Sequence, residues 1–374
     1  MSGALIQIVS KGVQDIYITS EDGHSFFRTK FARYKNFSQA PKFIKEITET
    51  DNSITIPVYG DIINAMWFEG TGEANISSNL FYNSTIDLYI GGQKIDSQHY
   101  DYYNDIWANY LADTWTKSQE INVKSNPGNI AFVPLHFFFC DGGAYLPLVA
   151  LQNHTVEVKV NFDTTYFNGP GEASLTDAQK KISVYGNYVY LDTDERESFV
   201  NRQIDMIITQ VQRNEYPIDF GTTNYNSLEI SQFNHPVKSL FFGFGTLSEE
   251  FVDDRFTFKT LDIQLNGSPL LESMSPMYFH TVESYLKSKF AHIDFRADNR
   301  VMLYTRYFPF HFCMNSSEYS PSGTCNFSRL DNAKIIIRNA EKGVNRTDTH
   351  IFVYAVNYNI LRIQNGMAGI LFGN

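Results

Sequence analysis

The sequence predicts an all-β protein made of two tandem eight-stranded jelly-roll barrels, with a few short helices in loops and in the connector. Three observations predict this class. Short segments rich in Val, Ile, Tyr, Phe and Thr recur along the chain, few segments have helical periodicity, and the two halves of the sequence resemble each other. A length of 374 residues also exceeds that of one ordinary domain.

The predicted strands have alternating or continuous apolar residues and are bounded by Gly, Asn, Asp or Pro. They include SITIPVYG, STIDLYIGG, VEVKVNFD, KISVYGNYVYL, SLFFGF, RFTFKTLDIQLNG, AKIIIRNA and IFVYAVNYNILRI. Helices are predicted for 195–203, 103–111 and around 279–287. Strands and loops therefore greatly outnumber helices.

A similarity between two segments of the sequence, the internal echo, predicts that the β-domain is duplicated. IDLYIGGQ at 86–93 is similar to LDIQLNGS at 261–268, an offset of 175 residues. Each segment precedes an aromatic patch, YDYYNDIWANY in the first half and YFHTVESYL in the second. We also expect VEVKVNF and FVYAVNYNI to be equivalent closing strands.

The stretch YLDTDERESFVNRQ marks the boundary between the halves, because it joins the end of one strand to a charged helix and then to a new strand. Asp192 or Thr193 is expected to cap this helix, and acidic residues in its first turn favour the positive end of the helix dipole. Each half then has the length of one jelly roll with its loops.

Composition and charge exclude several classes of protein. The net charge is −11 without any block of like charges, which argues against direct nucleic-acid binding. Three cysteines at unrelated spacings favour free thiols. The N-terminal segment does not have the pattern of a signal peptide, and the apolar stretch IAFVPLHFFFCDGGAYLPLVAL is interrupted by Pro, Asp and Gly, which predicts two strands and a turn.

Motifs of catalytic, cofactor-binding or metal sites are absent from the sequence. GFGTLS at 243–248 is interpreted as a strand end. His99, with Asp96, Asp101 and Asp105 near it, is interpreted as part of a polar loop, and His136 as a hydrogen-bonded histidine of a barrel strand. We therefore expect neither an enzyme nor a cofactor. A β-sandwich carbohydrate-binding, lectin-like module stays open as an alternative function, because it would also be aromatic and all-β.

Several long strings resemble one family. They occur in the same order along the chain and comprise GALIQIVSKGVQDIYIT, LYIGGQKID, FVPLHFFFCDGGAYLPLVALQNHTVEV, YLDTDERESF, FNHPVKSLFF, PSGTCNFSRLDNA and VYAVNYNILRIQNGMAGILF. With these strings the chain resembles the double jelly-roll major capsid proteins of the nucleocytoplasmic large DNA viruses, such as phycodnaviruses and iridoviruses. The resemblance implies an N-terminal arm at 1–29, a first jelly roll at 30–196 and a second at 197–374.

The resemblance also implies a function in assembly. Three chains would form a homotrimer whose six similar barrels make a pseudo-hexameric capsomer, and capsomers would tile an icosahedral shell. Expected partners are neighbouring capsomers, minor capsid and penton proteins, and viral proteins associated with the inner membrane, which the N-terminal arm would face. The location would be the virion capsid, assembled in the host cytoplasm.

The stretch PSGTCNFSRLDNA allows a catalytic loop or a structural turn, and the resemblance favours the turn. Pro321, Ser322 and Gly323 are expected to make a tight turn. Ser, Thr and Asn side chains of the stretch would bond backbone groups, and Arg329 with Asp331 would fix the start of the next strand.

Overall fold

The computed structural model describes residues 33–373 apart from 71–75, 121–123, 127–128, 131, 165–179, 222–223, 245–255, 290–306 and 343–348, together with positions 13, 15 and 27. The chain divides into two compact units, Met1–Asn36 and Phe37–Asn374. All strands described below belong to the second unit. Apart from those three positions, the predicted arm at 1–29 lies outside the described residues.

The described residues of the first half form twelve strands. They are β1 (Phe37–Ile47), β2 (Ser53–Thr55), β3 (Ile62–Gly70), β4 (Ile76–Ser77), β5 (Thr85–Ile90), β6 (Gln93–His99), β7 (Lys124–Asn126), β8 (Asn129–Ile130), β9 (Phe132–Pro134), β10 (Leu146–Pro147), β11 (Val156–Asn161) and β12 (Ile182–Leu191). The helical segments between them are a π-helix at Tyr102–Leu111, an α-helix at Trp115–Glu120 and 3₁₀ turns at Ser78–Phe81 and Leu148–Ala150.

The second half begins after an α-helix at Thr193–Asn201, and its described residues also form twelve strands. They are β13 (Ile204–Pro217), β14 (Tyr225–Glu229), β15 (Pro236–Gly243), β16 (Phe256–Thr257), β17 (Thr260–Leu265), β18 (Ser268–Met274), β19 (Tyr307–His311), β20 (Cys325–Asn326), β21 (Ala333–Arg338), β22 (Glu341–Lys342), β23 (His350–Gln364) and β24 (Met367–Ile370). A π-helix at Tyr278–Glu283 continues as an α-helix at Ser284–Lys287, and a 3₁₀ turn lies at Phe327–Arg329.

The two halves repeat one sheet topology. A large sheet has the order β1-β12-β3-β10 in the first half and β13-β23-β15-β19 in the second, and a smaller sheet has the order β2-β11-β5-β6 in the first and β14-β21-β17-β18 in the second. The strand pairs are antiparallel. The predicted double jelly roll is therefore confirmed. At one edge of each large sheet two short strands pair with the same neighbour, β9 and β10 with β3 and β19 and β20 with β15, and the count of eight strands per half is not confirmed.

The sheet order also tests the predicted echo. The segments at 86–93 and 261–268 begin equivalent hairpins, β5–β6 and β17–β18, and each hairpin is followed by a π-helix. The pairing of VEVKVNF with FVYAVNYNI is wrong. VEVKVNF forms β11, which occupies the position of β21 in the other half, whereas FVYAVNYNI belongs to β23, the equivalent of β12. Both are alternating strands, and local pattern cannot tell a strand of the small sheet from a strand of the large sheet.

Each half has its own apolar core between its two sheets. In the first half Phe68 and Val184 of the large sheet pack with Val158 and Leu88 of the small one. The second core is richer in phenylalanine, and its Phe242 and Phe308 rings stack with centroids 5.8 Å apart. Inward-facing residues alternate with outward-facing ones along the strands, as the period of two requires.

The helix at Thr193–Asn201 connects the halves and agrees with the predicted connector. Asp192 is its N-cap, and the Asp192 Oδ1 accepts a hydrogen bond from the Thr193 N–H at 2.8 Å. Arg196 holds the helix against the first half through a two-pronged ion pair with Asp61, at 2.7 and 3.0 Å. Among the described residues no helix has both the length and the apolar character needed to cross a membrane.

Candidate functional site

The predicted turn at 321–323 is an irregular, exposed segment that closes a loop beginning at Met314. The Met314 N–H donates to the Ser322 carbonyl at 3.3 Å, and the Asn315 N–H donates to the Ser322 Oγ at 3.2 Å. Gly323 has φ = +140°, and a Cβ at this position would lie 2.8 Å from the carbonyl oxygen of Phe312. Only glycine fits this backbone without strain.

Polar side chains further along this stretch bond backbone groups. The Ser328 Oγ accepts from the His235 N–H at 2.8 Å, and the Asn326 Oδ1 accepts from the Ser328 N–H at 3.1 Å. Within the described part of the chain, Arg329 and Asp331 are exposed and form no ion pair with each other. The start of β21 is instead fixed by Asn266, whose Oδ1 accepts from the Asp331 N–H at 3.1 Å.

The two halves pack against each other in an interface that the sequence did not predict. We call this interface the seam. The outer face of the second-half large sheet is covered by the first-half π-helix at Tyr102–Leu111. The Tyr102 ring stacks on Tyr354 with centroids 6.5 Å apart, and the Tyr110 ring lies 5.8 Å from Phe241. The Tyr110 hydroxyl donates to the Tyr307 carbonyl at 2.9 Å. Strands β15 and β19 of this sheet are therefore buried on both faces.

A buried polar network lies inside the seam. The Tyr307 hydroxyl donates to the Asp101 Oδ2 at 2.9 Å, and the Tyr354 hydroxyl donates to the same oxygen at 3.4 Å. The Tyr354 hydroxyl also lies 3.3 Å from the His99 Nδ1. Burial raises the pKa of Tyr307 and of Tyr354 well above the usual value, and the Asp101 charge adds to the rise. Both phenols therefore stay protonated and serve as donors.

This network corrects the interpretation of His99 as part of a polar loop. His99 ends strand β6 and is buried between Asn83 of its own half and Tyr354 of the other. Of the acidic residues near it, Asp101 and Asp96 are buried at the seam. Sequence spacing did not indicate this, because the tyrosine partners lie about 200 or more residues away.

A second seam contact joins strand β6 to the edge strand β13. The Asp96 Oδ1 accepts from the Val211 N–H at 2.9 Å, the Asp96 Oδ2 accepts from the Gln98 amide at 2.8 Å, and the Gln210 amide donates to the Ile95 carbonyl. Burial raises the pKa of Asp96 to about 6, although these hydrogen bonds favour its ionised form.

The C-terminal hairpin makes a third contact with the first half. The Asn153 N–H donates to the Gly366 carbonyl at 2.9 Å, the Ala368 N–H donates to the His154 Nδ1 at 3.1 Å, and the Ile370 N–H donates to the Gln93 Oε1 at 3.2 Å. Strand β24 is thereby held across the seam, so the two barrels are joined at several separate places.

His136 is hydrogen-bonded as predicted, but it follows β9 and does not lie in a strand. Its ring stacks on Trp107 with centroids 3.6 Å apart, and its Nδ1 lies 3.3 Å from the Asp141 Oδ1. A cavity of about 180 Å³ beside it is lined by Trp67, Phe132 and Pro134. The described residues contain no group of three or more His, Cys, Asp or Glu side chains that is arranged to hold a metal ion.

Two family models match adjacent parts of the chain. One, described as the major capsid protein N-terminus, matches residues 25–192. The other, described as the large eukaryotic DNA virus major capsid protein, matches residues 195–369. Together they span nearly the whole sequence, and they meet within the connector.

Individual relatives agree with the family models. The major capsid proteins of Pyramimonas orientalis virus and Paramecium bursaria Chlorella virus 1 are each 29% identical to this chain, over 100% of both sequences. The crystal structure of PBCV-1 VP54, fitted into a reconstruction of the virophage Sputnik, is similar with a TM-score of 0.76 and 22% identity, covering 94% of this chain and 100% of that one. The Faustovirus major capsid protein is similar with a TM-score of 0.64 and 11% identity, covering 95% of each chain.

The structural matches show the double jelly-roll fold, and the family models and sequence relatives, all of them capsid proteins, show the function of the family. The chain therefore belongs to the major capsid protein family of the large eukaryotic DNA viruses.

Proposed function

We propose that this major capsid protein assembles as a homotrimer in which six similar barrels form a pseudo-hexameric capsomer. The observation that supports it most directly is the repeated topology of the two halves, joined within one compact unit by a buried seam. A chain with two like barrels held at a fixed angle can imitate two successive positions of a sixfold ring. Three chains would then close that ring by head-to-tail contacts.

The proposal includes the division of the chain and its surroundings. We divide it into an arm at 1–29, a first jelly roll at 30–196 and a second at 197–374, with the helix Thr193–Asn201 crossing the boundary. Neighbouring capsomers would contact the outer walls of the trimer. Minor capsid proteins, penton proteins and viral proteins associated with the inner membrane would be further partners. Assembly would take place in the host cytoplasm.

Light scattering on the purified chain tests the trimer. We expect a mass close to three chains at micromolar concentration, and electron micrographs should show single plates of hexagonal outline. A stable monomer under these conditions would count against the proposal. Interfaces of obligate oligomers commonly bury about 2,000–5,000 Å², which leaves little monomer at equilibrium.

A further inference from the structure

We propose that Tyr285 and Leu286 of one chain pack on the outer face of the large first-half sheet of a second copy, against Phe43, Tyr185 and Trp67. The inference rests on the proposed trimer and assigns its contact surfaces. The large sheets of the two halves have equivalent outer faces. A helix of the same chain covers the face of the second-half sheet, whereas the face of the first-half sheet is open.

The two large sheets have equivalent rows of residues across their strands. In the second half, residues in register are Arg213, Tyr354, Phe241 and Pro309. In the first half, they are Phe43, Tyr185, Trp67 and Pro134. The strands around the two prolines also agree in sequence, with VPLHF at 133–137 and FPFHF at 308–312. The aromatic row of one half thus corresponds to that of the other.

The second-half row is covered by a helix of the first half. Tyr110 lies against Phe241, and its hydroxyl donates to the Tyr307 carbonyl. Tyr110 is 4% exposed and its neighbour Leu111 is 8% exposed. These two residues therefore seal the seam within the chain.

The equivalent helix of the second half has the same dipeptide, but among the described residues no sheet of the other half packs on its side chains as the second-half sheet packs on Tyr110. Tyr285 and Leu286 follow Tyr110 and Leu111 by 175 residues, the offset that also relates the preceding hairpins. Tyr285 is 83% exposed and Leu286 is 62% exposed. Leu270 of β18 repeats the pattern, being 46% exposed where its equivalent Ile95 is 2% exposed.

The first-half row is likewise open. Phe43 is 48% exposed, and its ring lies 5.7 Å from that of Tyr185, which stacks in turn on Trp67 at 5.8 Å. The cavity of about 180 Å³ adjoins Trp67 and Phe132. An enclosed cavity of about 150 Å³ holds a benzene ring, so the volume of this one is sufficient for an aromatic side chain.

In the seam the Tyr307 carbonyl accepts a hydrogen bond from Tyr110. The open first-half sheet has an equivalent carbonyl. Phe132 precedes Pro134 by two residues, as Tyr307 precedes Pro309. The Phe132 carbonyl is therefore the equivalent of the one that accepts from Tyr110, and we assign it to the Tyr285 hydroxyl of the second copy.

The molecule that covers the open face of the first-half sheet is a second copy of the chain. In the seam, the equivalent helix already packs on the equivalent sheet face. The exposed helix with Tyr285 and Leu286 belongs to the second half and the open sheet face to the first, so the two surfaces are different. A contact between unlike surfaces is heterologous and repeats from chain to chain until a ring closes. Aromatic side chains such as Tyr285 are also enriched in the buried cores of interfaces.

The double variant Tyr285→Ser/Leu286→Ser tests the assignment. We expect its mass in light scattering to fall from three chains to one, with a dissociation concentration raised at least 100-fold. Its circular dichroism should match the wild type, because both side chains are exposed within the chain. Tyr225→Ser is the matched control, since Tyr225 is 61% exposed on β14 of the small sheet, and it should remain trimeric.

A position-specific measurement complements the variants. The photoreactive residue p-benzoylphenylalanine, placed at 285 in otherwise wild-type chain, should cross-link to peptides that contain Trp67 or Tyr185. Mixing isotope-labelled and unlabelled chains should show that these links join different copies. Links to other regions, or a double variant that stays trimeric beside a trimeric wild type, would overturn the inference and leave the trimer standing. A monomeric wild type would overturn both.

Discussion

Gly323 shows how a single residue determines the course of the segment before β21. Its positive φ and the nearby carbonyl of Phe312 both exclude a side chain. The neighbouring polar residues bond backbone groups that no strand pairing satisfies, as with Ser322 and Asn315. The segment is thereby held in one irregular conformation beside β19.

For Gly323→Val we expect a lower free energy of unfolding and a lower yield of trimer. The strained backbone alone costs on the order of 1–3 kcal/mol, and the contact with the Phe312 carbonyl adds to it. Chemical denaturation measures the loss. Gly92→Val is the control, because Gly92 also has a positive φ but a Cβ there meets no atom within 4 Å. Equal losses in the two variants would show that the Phe312 contact is unimportant.

At the scale of elements, the edge strands β6 and β13 are joined by side chains at the seam. An exposed strand edge invites pairing with other chains. Here the Asp96 carboxylate and the Gln210 amide each bond one backbone group of the facing strand, so the two edges are linked at this point within the chain. The arrangement buries the ionisable side chain of Asp96.

The buried position of Asp96 predicts a pH dependence. Its folded pKa of about 6 lies above the ordinary 3.8, so it contributes stability fully below pH 3.8 and loses that contribution as pH rises through 6. The loss amounts to about 3 kcal/mol, since each pKa unit corresponds to about 1.4 kcal/mol. Relative to wild type, Asp96→Asn should therefore become more stable between pH 4 and pH 7, as measured by denaturation at a series of pH values.

Asp262 provides a control, because its contribution to stability changes with pH in the opposite direction. Arg338 binds both oxygens of its carboxylate, at 2.8 and 2.6 Å, and lowers its pKa. The contribution of this group is present above pH 3.8 and is lost as pH falls through the lowered pKa. Asp262→Asn should therefore be destabilising at neutral pH and less so in acid. A difference between wild type and Asp96→Asn that is constant with pH would contradict the role of Asp96.

At the scale of the whole molecule, the two barrels share apolar contacts. Phe241, Tyr307 and Tyr354 of the second half belong to the same buried cluster as the first-half core. Neither the π-helix at Tyr102–Leu111 nor the outer face of the second large sheet would be covered if the halves separated. Each barrel therefore depends on the other for the burial of one surface.

This shared burial predicts that Phe37–Asn374 unfolds as one cooperative unit. Scanning calorimetry should show a single transition for the wild type. Tyr110→Ala should lower its midpoint, with a loss of about 3–5 kcal/mol for a large buried side chain, whereas Tyr225→Ala should not. Two resolved transitions in the wild-type chain would mean that the seam contributes little to stability.

Local patterns were sufficient for the class of fold, the connector and the repeat. Alternating strands have a period of two wherever they occur, the Asp192 cap lies next to the helix it begins, and the offset of 175 residues is preserved in both hairpins and both helices. They were insufficient to match β11 with its true equivalent, β21, because strands of the small and large sheets of one barrel have similar patterns.

The sequence by itself determined that this chain is a duplicated, acidic, all-β protein and, through its long ordered strings, a capsid protein of large DNA viruses. Only the tertiary structure decided how the barrels meet. His99, Asp101, Tyr307 and Tyr354 are brought together by the packing of a helix on a distant sheet, and Asn266 rather than the Arg329–Asp331 pair fixes the start of β21. Burial and pairing between residues far apart in the chain depend on the whole fold, and no local spacing encodes them.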